Sequence, residues 1–322
     1  MTAVKLVYCL SGESAQPVVA MMRLSIATAR HTNPHAMVEL LVDRVSLDAL
    51  AADRSRLLDE VDLTNVHDTP PGPAVLRSRH LKTSMRGAVS GDFLFLDADT
   101  VVRKPLRPMW PADTDVAACP NYSRDTLREQ SCDEESAYMA AMGWPAPPTY
   151  LNSGVVFFAD SPRAHAAGRL WHECWSRGRD GSGRHVDQPS FNHAMRASGA
   201  EVYVLPHAWN AQINRSPLTA EDASIWHYYH SLQRPADTTF AIEVRRLSGH
   251  HPVSPTVVQR LVNADVPWPT DSWLRRIVVA DTLRRGRLSP IASLLLAGNC
   301  VRAARCAARI TIERLTRSTV TR

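Results

Sequence analysis

Residues 93–102 read Phe93-Leu94-Phe95-Leu96-Asp97-Ala98-Asp99-Thr100-Val101-Val102. The four apolar residues predict a buried strand, and the turn after it presents two carboxylates, Asp97 and Asp99, two residues apart. In an α/β sheet, ligands collect outside the carboxyl ends of the strands. A carboxylate pair at that position suits a hard divalent cation, which prefers oxygen ligands and bridges to substrate phosphates. The alternative is that both aspartates only form the turn.

The segments around this strand predict an α/β domain. Residues 4–10 are an apolar run typical of a buried strand, residues 17–32 have helical spacing, and Val38–Val42 form a second strand. Strand, helix and strand in this order predict a βαβ unit and a parallel sheet covered by helices. Further helices are predicted at residues 46–60, 76–89, 165–177, 188–197 and 256–264, and further strands at 61–66, 116–118, 154–159 and 200–205.

Composition excludes several classes of protein. The 322 residues are 44% hydrophobic and 21% charged, which excludes disorder and allows one large domain or two ordinary ones. No apolar run approaches the ~20 residues that span a bilayer, and the first residues lack the pattern of a secretory signal peptide. The six cysteines are scattered without a CxxC pair, which favours reduced thiols and a cytoplasmic protein.

The net charge of +5 is unevenly distributed. Residues 275–322 contain eleven arginines and two acidic residues and carry +9, so the remainder carries −4. We therefore predict an α/β domain at residues 1–250 and a helical, arginine-rich extension at residues 251–322. A basic helix with tryptophan can lie on an anionic membrane, here the inner face. The alternatives are a helical cap packed on the domain and a solvated tail. No recognised motif points to nucleic acid.

Five other segments accompany the Asp97–Asp99 pair in a fixed order along the chain. They are Ser78–Thr83, Leu151–Phe158, Asp187–Asn192, Leu205–Asn210 and Ile225–Tyr229. With them, residues 4–235 resemble the GT-A glycosyltransferases, and are most similar to family 8, the glycogenin-like and bacterial lipopolysaccharide galactosyl- and glucosyltransferases. The resemblance implies the nucleotide-diphospho-sugar transferase fold, in which a Rossmann-like central mixed sheet is flanked by helices.

The resemblance also implies a metal site. Asp97 and Asp99 match the DxD pair that holds Mn²⁺ (or Mg²⁺) on the diphosphate of the donor, with Ala98 between them in the donor site. His227 matches the third protein ligand, and manganese accepts mixed carboxylate and imidazole ligation. The alternative for His227 is a core histidine among aromatic residues.

Other residues match the donor-binding positions. Ser11 and Gly12, after the first strand, match the uridine site, although the usual acidic residue of that turn is missing. Lys82 and Arg79 share one helical face and would place positive charge near the diphosphate. Where the family commonly shows His-x-x-Gly and Lys-Pro-Trp, this chain has His for the Gly and Arg234 before Pro235. Arg234 would replace the lysine as a diphosphate clamp.

Four residues match the sugar pocket. Asn152 and Ser153 lie at the start of a predicted strand, and Asp187-Gln188 matches a pair that contacts the sugar near the reacting carbon. A carboxylate or amide there can bind sugar hydroxyls and stabilise developing positive charge. Asp187 also precedes a predicted helix, where a capping role is the alternative and is compatible with substrate contact.

Together these features predict a metal-dependent transfer of a hexose from a UDP-sugar to a glycan or lipid-linked acceptor, with retention of configuration. One alternative is a haloacid-dehalogenase-like phosphohydrolase, because Asp97–Val102 also resembles the nucleophile motif of those enzymes. That motif normally lies near the N-terminus and is followed by a late acidic pair, which this chain lacks. The other alternative is a non-catalytic scaffold that binds a nucleotide-sugar.

Overall fold

A computed structural model of the protein describes residues 4–12, 17–122, 130–213, 222–229, 238–247, 251–264 and 267. Over these residues the strands are β1 Lys5–Leu10, β2 Met37–Val42, β3 Leu63–Val66, β4 Phe93–Leu96, β5 Thr100–Val102, β6 Val116–Pro120, β7 Leu151–Phe158, β8 Val202–Val204, β9 Ala211–Gln212 and β10 Ile225–His227. The helices are α1 Pro17–Thr32, α2 Arg44–Ala52, α3 Ala74–Ala88, α4 Asp133–Ala141, α5 Pro162–Ser182, α6 Gln188–Ala197, α7 Thr239–Arg246 and α8 Pro255–Asn263.

The central sheet is mixed and has the order β3-β2-β1-β4-β7-β6-β8. The first four strands in this order are parallel, β7 is antiparallel to both β4 and β6, and β8 is parallel to β6. Both faces are buried because helices cover each side. Leu6 and Tyr8 of β1 pack in one cluster with Ile26 of α1, and Val7 packs in another with Leu81 of α3. The predicted fold class is confirmed.

A second sheet of three short strands, in the order β5-β10-β9, lies beside the turn that follows β4. In this sheet β10 is antiparallel to β5, with His227 opposite Thr100, and parallel to β9, with His227 opposite Gln212. The side chains of Val101 and Trp226 pack with Leu24 of α1 and Phe240 of α7. The second sheet therefore fixes the position of the late histidine relative to the β4–β5 turn.

The single helix predicted at residues 46–60 is wrong. Helix α2 ends at Ala52, and a short 3-10 helix covers Arg56–Asp59. The break falls at Arg54, whose φ of 49° lies in the left-handed region. Ser55 then starts the new turn by accepting a hydrogen bond from the Leu57 amide. The apolar spacing continues across this break, which is why periodicity alone did not reveal it.

The predicted C-terminal extension is described only in its first part. Helix α8 forms where residues 256–264 were predicted to be helical, and Leu261 packs with Leu24 of α1. Residues 268–322, which contain the arginine-rich stretches, lie outside the described residues, so the division at residue 250 stays a prediction. None of the helices described is long and apolar enough to cross a membrane. No disulfide joins Cys9, Cys119, Cys132 or Cys174 to another described cysteine, and Cys300 and Cys306 lie outside the described residues.

Candidate functional site

The turn between β4 and β5 is held from two sides. The Asp97 amide donates to the Gly154 carbonyl of β7 at 2.8 Å, and the Tyr228 amide donates to the Asp99 carbonyl at 2.8 Å. Because β10 pairs with β5, the residue before Tyr228 faces the same turn. The sequence therefore brings both aspartates and His227 together through strand pairing.

Asp97, Asp99 and His227 form a candidate metal site. His227 Nε2 lies 3.2 Å from Asp99 Oδ1 and 3.8 Å from Asp97 Oδ2, and His227 is buried. One ligand atom from each residue lies within 4.8 Å of the other two. Two carboxylates and one imidazole suit Mn²⁺, and carboxylate oxygens also suit Mg²⁺. Among the described residues no other cluster of histidine, cysteine and acidic side chains has this geometry.

Gly154 provides the test of whether these residues can share a cation. A Cβ atom at position 154 would collide with the His227 ring and would lie 2.7 Å from Asp97 Oδ2. It would also lie 3.0 Å from Asn152 Oδ1. The space between the imidazole and the carboxylate therefore exists only because residue 154 has no side chain. This space leaves room for a cation shared by Asp97, Asp99 and His227.

Lys82 of α3 lies between two carboxylates. Its Nζ donates to Asp97 Oδ1 at 2.9 Å and to Oδ2 at 3.0 Å, and it lies 3.4 Å from Asp187 Oδ2. Burial lowers the pKa of Lys82, but Asp187 and Asp97 outweigh burial and hold it above its usual value. Burial raises the pKa of Asp97 despite Lys82, whereas His227 outweighs burial and lowers the pKa of Asp99. The site is thus a cluster of paired positive and negative side chains.

Asp187 binds three side chains around it. Arg79 Nε lies 3.1 Å from Asp187 Oδ1, and Ser153 Oγ donates to Oδ2 at 3.0 Å. Burial raises the pKa of Asp187, but Arg79 and Lys82 together lower it to about 2. Asp187 does stand at the N-cap position of α6, yet its side chain makes no capping hydrogen bond. Its carboxylate belongs to the charged cluster instead.

Asn152, Ser153 and Gln188 meet beside Asp187. Asn152 Nδ2 donates to Gln188 Oε1 at 3.1 Å, and the Ser153 amide donates to the same oxygen at 3.3 Å. The antiparallel register of β7 against β4 explains the arrangement, since it places the start of β7 beside the Asp97 turn. The four residues predicted for the sugar pocket are therefore neighbours in the fold.

Ser11 and Gly12 follow β1 directly. Because β1 is parallel to β4, they lie at the same edge of the sheet as Asp97. The Gly12 amide donates to Ser46 Oγ at 2.8 Å, and Ser46 Oγ donates to Asp43 Oδ2 at 3.0 Å. Asp43, at the end of β2, thus places a carboxylate beside a turn whose own sequence lacks the expected acidic residue.

Two further residues predicted for the donor site are Ala98 and Arg234. Ala98 is half-buried in the β4–β5 turn and packs against the core cluster that includes Leu96. Arg234 lies outside the described residues, so its predicted contact with a diphosphate stays a prediction. The roles assigned to all the site residues likewise remain proposals.

Sequence reasoning missed the residues that orient this site. Asn210 precedes β9, and its Oδ1 lies 2.8 Å from His227 Nδ1, within hydrogen-bond distance. Glu135 of α4 accepts a hydrogen bond from Gln188 Nε2 at 3.4 Å. Gly154 and Asp43 were also overlooked. Asn210 stands in the conspicuous segment Leu205–Asn210, which was the one signal available for it.

No curated protein matches the chain. Two solved structures of the glycosyltransferase GlyE from Streptococcus pneumoniae TIGR4, one of them the apo-form, are similar at 14% identity, with TM-scores of 0.47 and 0.48. The alignment covers 84% of this chain, and the chain covers 66% of the length of each GlyE structure, just under two thirds.

Residues 88–221 match the sequence model of a family described as nucleotide-diphospho-sugar transferase. The matched segment is 134 of the 322 residues, and it contains Asp97, Asp99, Asn152 and the Asp187-Gln188 pair. The match does not single out family 8, which stays a prediction. The match therefore supports a nucleotide-diphospho-sugar transferase domain over these 134 residues.

Proposed function

We propose that this protein is a metal-dependent glycosyltransferase that transfers a hexose from a UDP-sugar to a glycan or lipid-linked acceptor. The observation that carries the proposal is the convergence of Asp97, Asp99 and His227 with Lys82 and Asp187 at one edge of the sheet. Most of these residues lie within or beside the segment that matches the transferase family.

Asp97, Asp99 and His227 would hold Mn²⁺ or Mg²⁺. When bound, such an ion supplies positive charge to the diphosphate of a nucleotide-sugar and makes it a better leaving group. The mixed donor set and the space created by Gly154 support this assignment.

Lys82 and Arg79 would supply further positive charge on the donor side of the site. Both are already held by Asp187, at 3.4 Å and 3.1 Å, so their cationic groups are oriented before a ligand arrives. Preorganised cations are most effective where negative charge develops during the reaction. In the proposed reaction, negative charge develops on the diphosphate oxygen of UDP as its bond to the anomeric carbon breaks.

Asp187, Gln188, Asn152 and Ser153 would bind the transferred sugar. With a pKa of about 2, Asp187 is ionised at any working pH and can stabilise positive charge that develops on the sugar ring. The amide and hydroxyl groups beside it can bind sugar hydroxyls. Retention of configuration follows from the resemblance to family 8 and belongs to the proposal.

The nucleotide would lie over the ends of β1 and β2. Ser11 and Gly12 form one side of this region, and Asp43 with Arg77 forms the other, with Arg77 Nε 3.3 Å from Asp43 Oδ2. Buried carboxylate and amide groups of this kind can bind the polar edges of a base or ribose. Arg234 remains a candidate for the diphosphate.

The acceptor is proposed from the sequence alone. The arginine-rich residues 275–322 carry +9 and would suit an anionic membrane surface, where a lipid-linked acceptor would be presented. A cytoplasmic enzyme held at the inner face of the membrane fits this charge distribution.

The test is release of UDP from a panel of nucleotide-sugars, with and without Mn²⁺, by the wild type and by Asp99→Asn. We expect Mn²⁺-dependent release with one UDP-hexose, and a loss of at least about 100-fold in Asp99→Asn, because one charged ligand is removed. Asp180→Asn is the matched control, since Asp180 is exposed and pairs with Arg179. Full activity in Asp99→Asn would contradict the proposed metal site.

Two other outcomes would favour the alternatives. Phosphate release from simple phosphomonoesters, with no nucleotide-sugar present, would favour a phosphohydrolase. Tight binding of a UDP-sugar with no turnover, in the presence of any acceptor or water, would favour a scaffold.

A further inference from the structure

Three amide side chains, the buried Asn210 and Asn152 and the half-buried Gln188, connect His227 to Glu135. His227 Nδ1 is 2.8 Å from Asn210 Oδ1, and Asn210 Nδ2 donates to Asn152 Oδ1 at 2.8 Å. Asn152 Nδ2 then donates to Gln188 Oε1 at 3.1 Å, and Gln188 Nε2 donates to Glu135 at 3.4 Å. The oxygen and nitrogen of an amide can be exchanged in such a chain, so its direction needs independent anchors.

Two anchors fix the orientation of Asn152. The Gly154 amide, which can only donate, is 2.9 Å from Asn152 Oδ1, so this atom must be the oxygen. On the other side, Asn121 Nδ2 donates to the carbonyl of Gln130 at 3.0 Å, which leaves Asn121 Oδ1 facing Asn152 Nδ2 at 3.1 Å. A flipped Asn152 would place donor against donor at one end and oxygen against oxygen at the other.

The orientation of Asn152 determines that of Asn210. Asn152 Oδ1 accepts from Asn210, so the Asn210 atom facing it is the NH₂ group, and the other atom, facing His227 Nδ1, is oxygen. An oxygen there accepts only from an N–H, which places a proton on Nδ1 of His227. Nε2 is then the nitrogen available to a cation, and it faces Asp99 at 3.2 Å and Asp97 at 3.8 Å.

We propose that Asn210 is a positioning residue that holds a proton on Nδ1 of His227 and so reserves Nε2 for a divalent cation shared with Asp97 and Asp99. Imidazole binds a metal only through the nitrogen that carries no proton. The other nitrogen is commonly held by a hydrogen bond, and losing that bond typically weakens metal affinity by about 10- to 100-fold. The inference rests on the metal site of the proposed function.

The first measurement is the protonation of the His227 ring in the metal-free, full-length protein, by long-range proton–nitrogen NMR at pH 8.5. We expect Nδ1 to carry a proton in the wild type. In Asn210→Leu we expect Nδ1 to lose this proton at least in part, because no acceptor remains there while Nε2 still faces the carboxylates of Asp97 and Asp99. In Asn210→Asp we expect the proton to stay on Nδ1, since a carboxylate oxygen still accepts it.

The second measurement is Mn²⁺ affinity, from the electron paramagnetic resonance signal of free Mn²⁺. We expect Asn210→Leu to bind at least about 10-fold more weakly than the wild type, and Asn210→Asp to regain most of that loss. Asn192→Leu is the matched control. Asn192 is as deeply buried and binds the backbone of Leu151 but lies off the path to His227. This control should keep the tautomer and the affinity of the wild type.

The outcomes separate this inference from the proposed function. A wild type that does not bind Mn²⁺ would contradict the proposed metal site. The NMR spectrum would still report whether Asn210 holds the proton on Nδ1 of His227. Unchanged His227 nitrogen shifts and unchanged Mn²⁺ affinity in Asn210→Leu would overturn the role of Asn210. If Asn210→Leu does not fold, the aspartate variant still decides, because an Nδ1 without a proton in Asn210→Asp would contradict the inference.

Discussion

Lys82 Nζ lies 2.9 Å and 3.0 Å from the two oxygens of Asp97, so one buried ammonium faces the whole carboxylate. The same nitrogen is 3.4 Å from Asp187 Oδ2. Lys82 is one of only three lysines in a chain with 34 arginines. A compact ammonium fits between two carboxylates where the planar fork of arginine would need more room. This bridge joins the candidate metal ligands to the candidate sugar pocket.

Replacing Lys82 by methionine should destabilise the protein. The change keeps the length and the apolar stem of the side chain but leaves Asp97 and Asp187 facing each other without their shared cation. Removing one partner from a buried ion pair typically costs about 3–5 kcal/mol. We expect the free energy of unfolding to fall by about 3 kcal/mol in Lys82→Met, measured by urea denaturation without metal.

Lys104→Met is the matched control for this prediction. Lys104 is exposed, and its one hydrogen bond to a described residue goes to the backbone carbonyl of Asp222 at 2.8 Å. Surface substitutions of this kind usually change stability by less than about 0.5 kcal/mol. Equal losses in the two variants would mean that the bridge to Asp97 and Asp187 contributes nothing specific.

Gly154→Ala should impair the metal site while leaving the sheet intact. The new Cβ would meet the His227 ring and Asp97 Oδ2. We expect Mn²⁺ affinity to fall by at least about 10-fold and transferase activity with it, because the ligands must move apart. Gly87→Ala tests the same substitution where the Cβ meets open space in helix α3. That variant should gain about 0.5–1 kcal/mol in stability and keep wild-type Mn²⁺ affinity.

The order of elements around the sheet could be predicted from sequence because each long element buries a distinct face. A continuous apolar run predicts a strand that is buried on both faces, and in β1 Leu6 and Tyr8 do pack in one cluster and Val7 in the other. Helix α6 likewise forms at the predicted residues 188–197. The strands that sequence reasoning missed, β5, β9 and β10, are two or three residues long. They are held by pairing with each other, which local periodicity does not record.

The candidate site could also be predicted only in part from the sequence. Asp97, Asp99 and His227 were named from motifs, and strand pairing brings them together. Asp43 was not named, because it reaches the Ser11–Gly12 turn through Ser46 and the parallel pairing of β1 with β2, which the sequence does not show directly. Asn210 was quoted within a motif but given no role, since its partner lies 17 residues away along the chain.

The histidines on the α3–α5 side should make stability depend on pH. His80 stacks edge-on against His172 at 4.6 Å and lies 6.0 Å from His67, with Arg179 nearby. Burial, then the neighbouring histidines and Arg179, lower the pKa of His80 to about 4. The folded state therefore binds fewer protons than the unfolded state between pH 6.5 and 4, so stability falls as the pH drops through that range.

His80→Gln tests this dependence by removing the titrating ring. Between pH 7 and pH 5 we expect the melting temperature of the wild type to fall by about 2–4 °C more than that of the variant. His35→Gln serves as control because His35 is exposed and should follow the wild type. Parallel curves for wild type and His80→Gln would show that protonation of His80 does not oppose folding.

The chain cut after residue 250 should be much less stable than the chain cut after residue 267. Helix α8 buries Val258, Leu261 and Val262, and Leu261 packs in one cluster with Leu24 and Trp226. Burying three such side chains is worth about 5 kcal/mol, a large part of the ~5–15 kcal/mol that stabilises a typical domain.

Backbone contacts to this segment add to the effect. Arg103 lies over the Trp226 ring and donates to the carbonyls of Val262 and Ala264 at 3.3 Å and 2.7 Å. A chain ending at residue 250 lacks the two carbonyls that Arg103 binds in this segment and the helix on which the apolar cluster packs. Urea midpoints and binding of a hydrophobic dye should therefore separate the two truncations. If the chain of residues 1–250 unfolds at the midpoint of the full chain, the predicted boundary at 250 is right and α8 adds nothing to the catalytic domain.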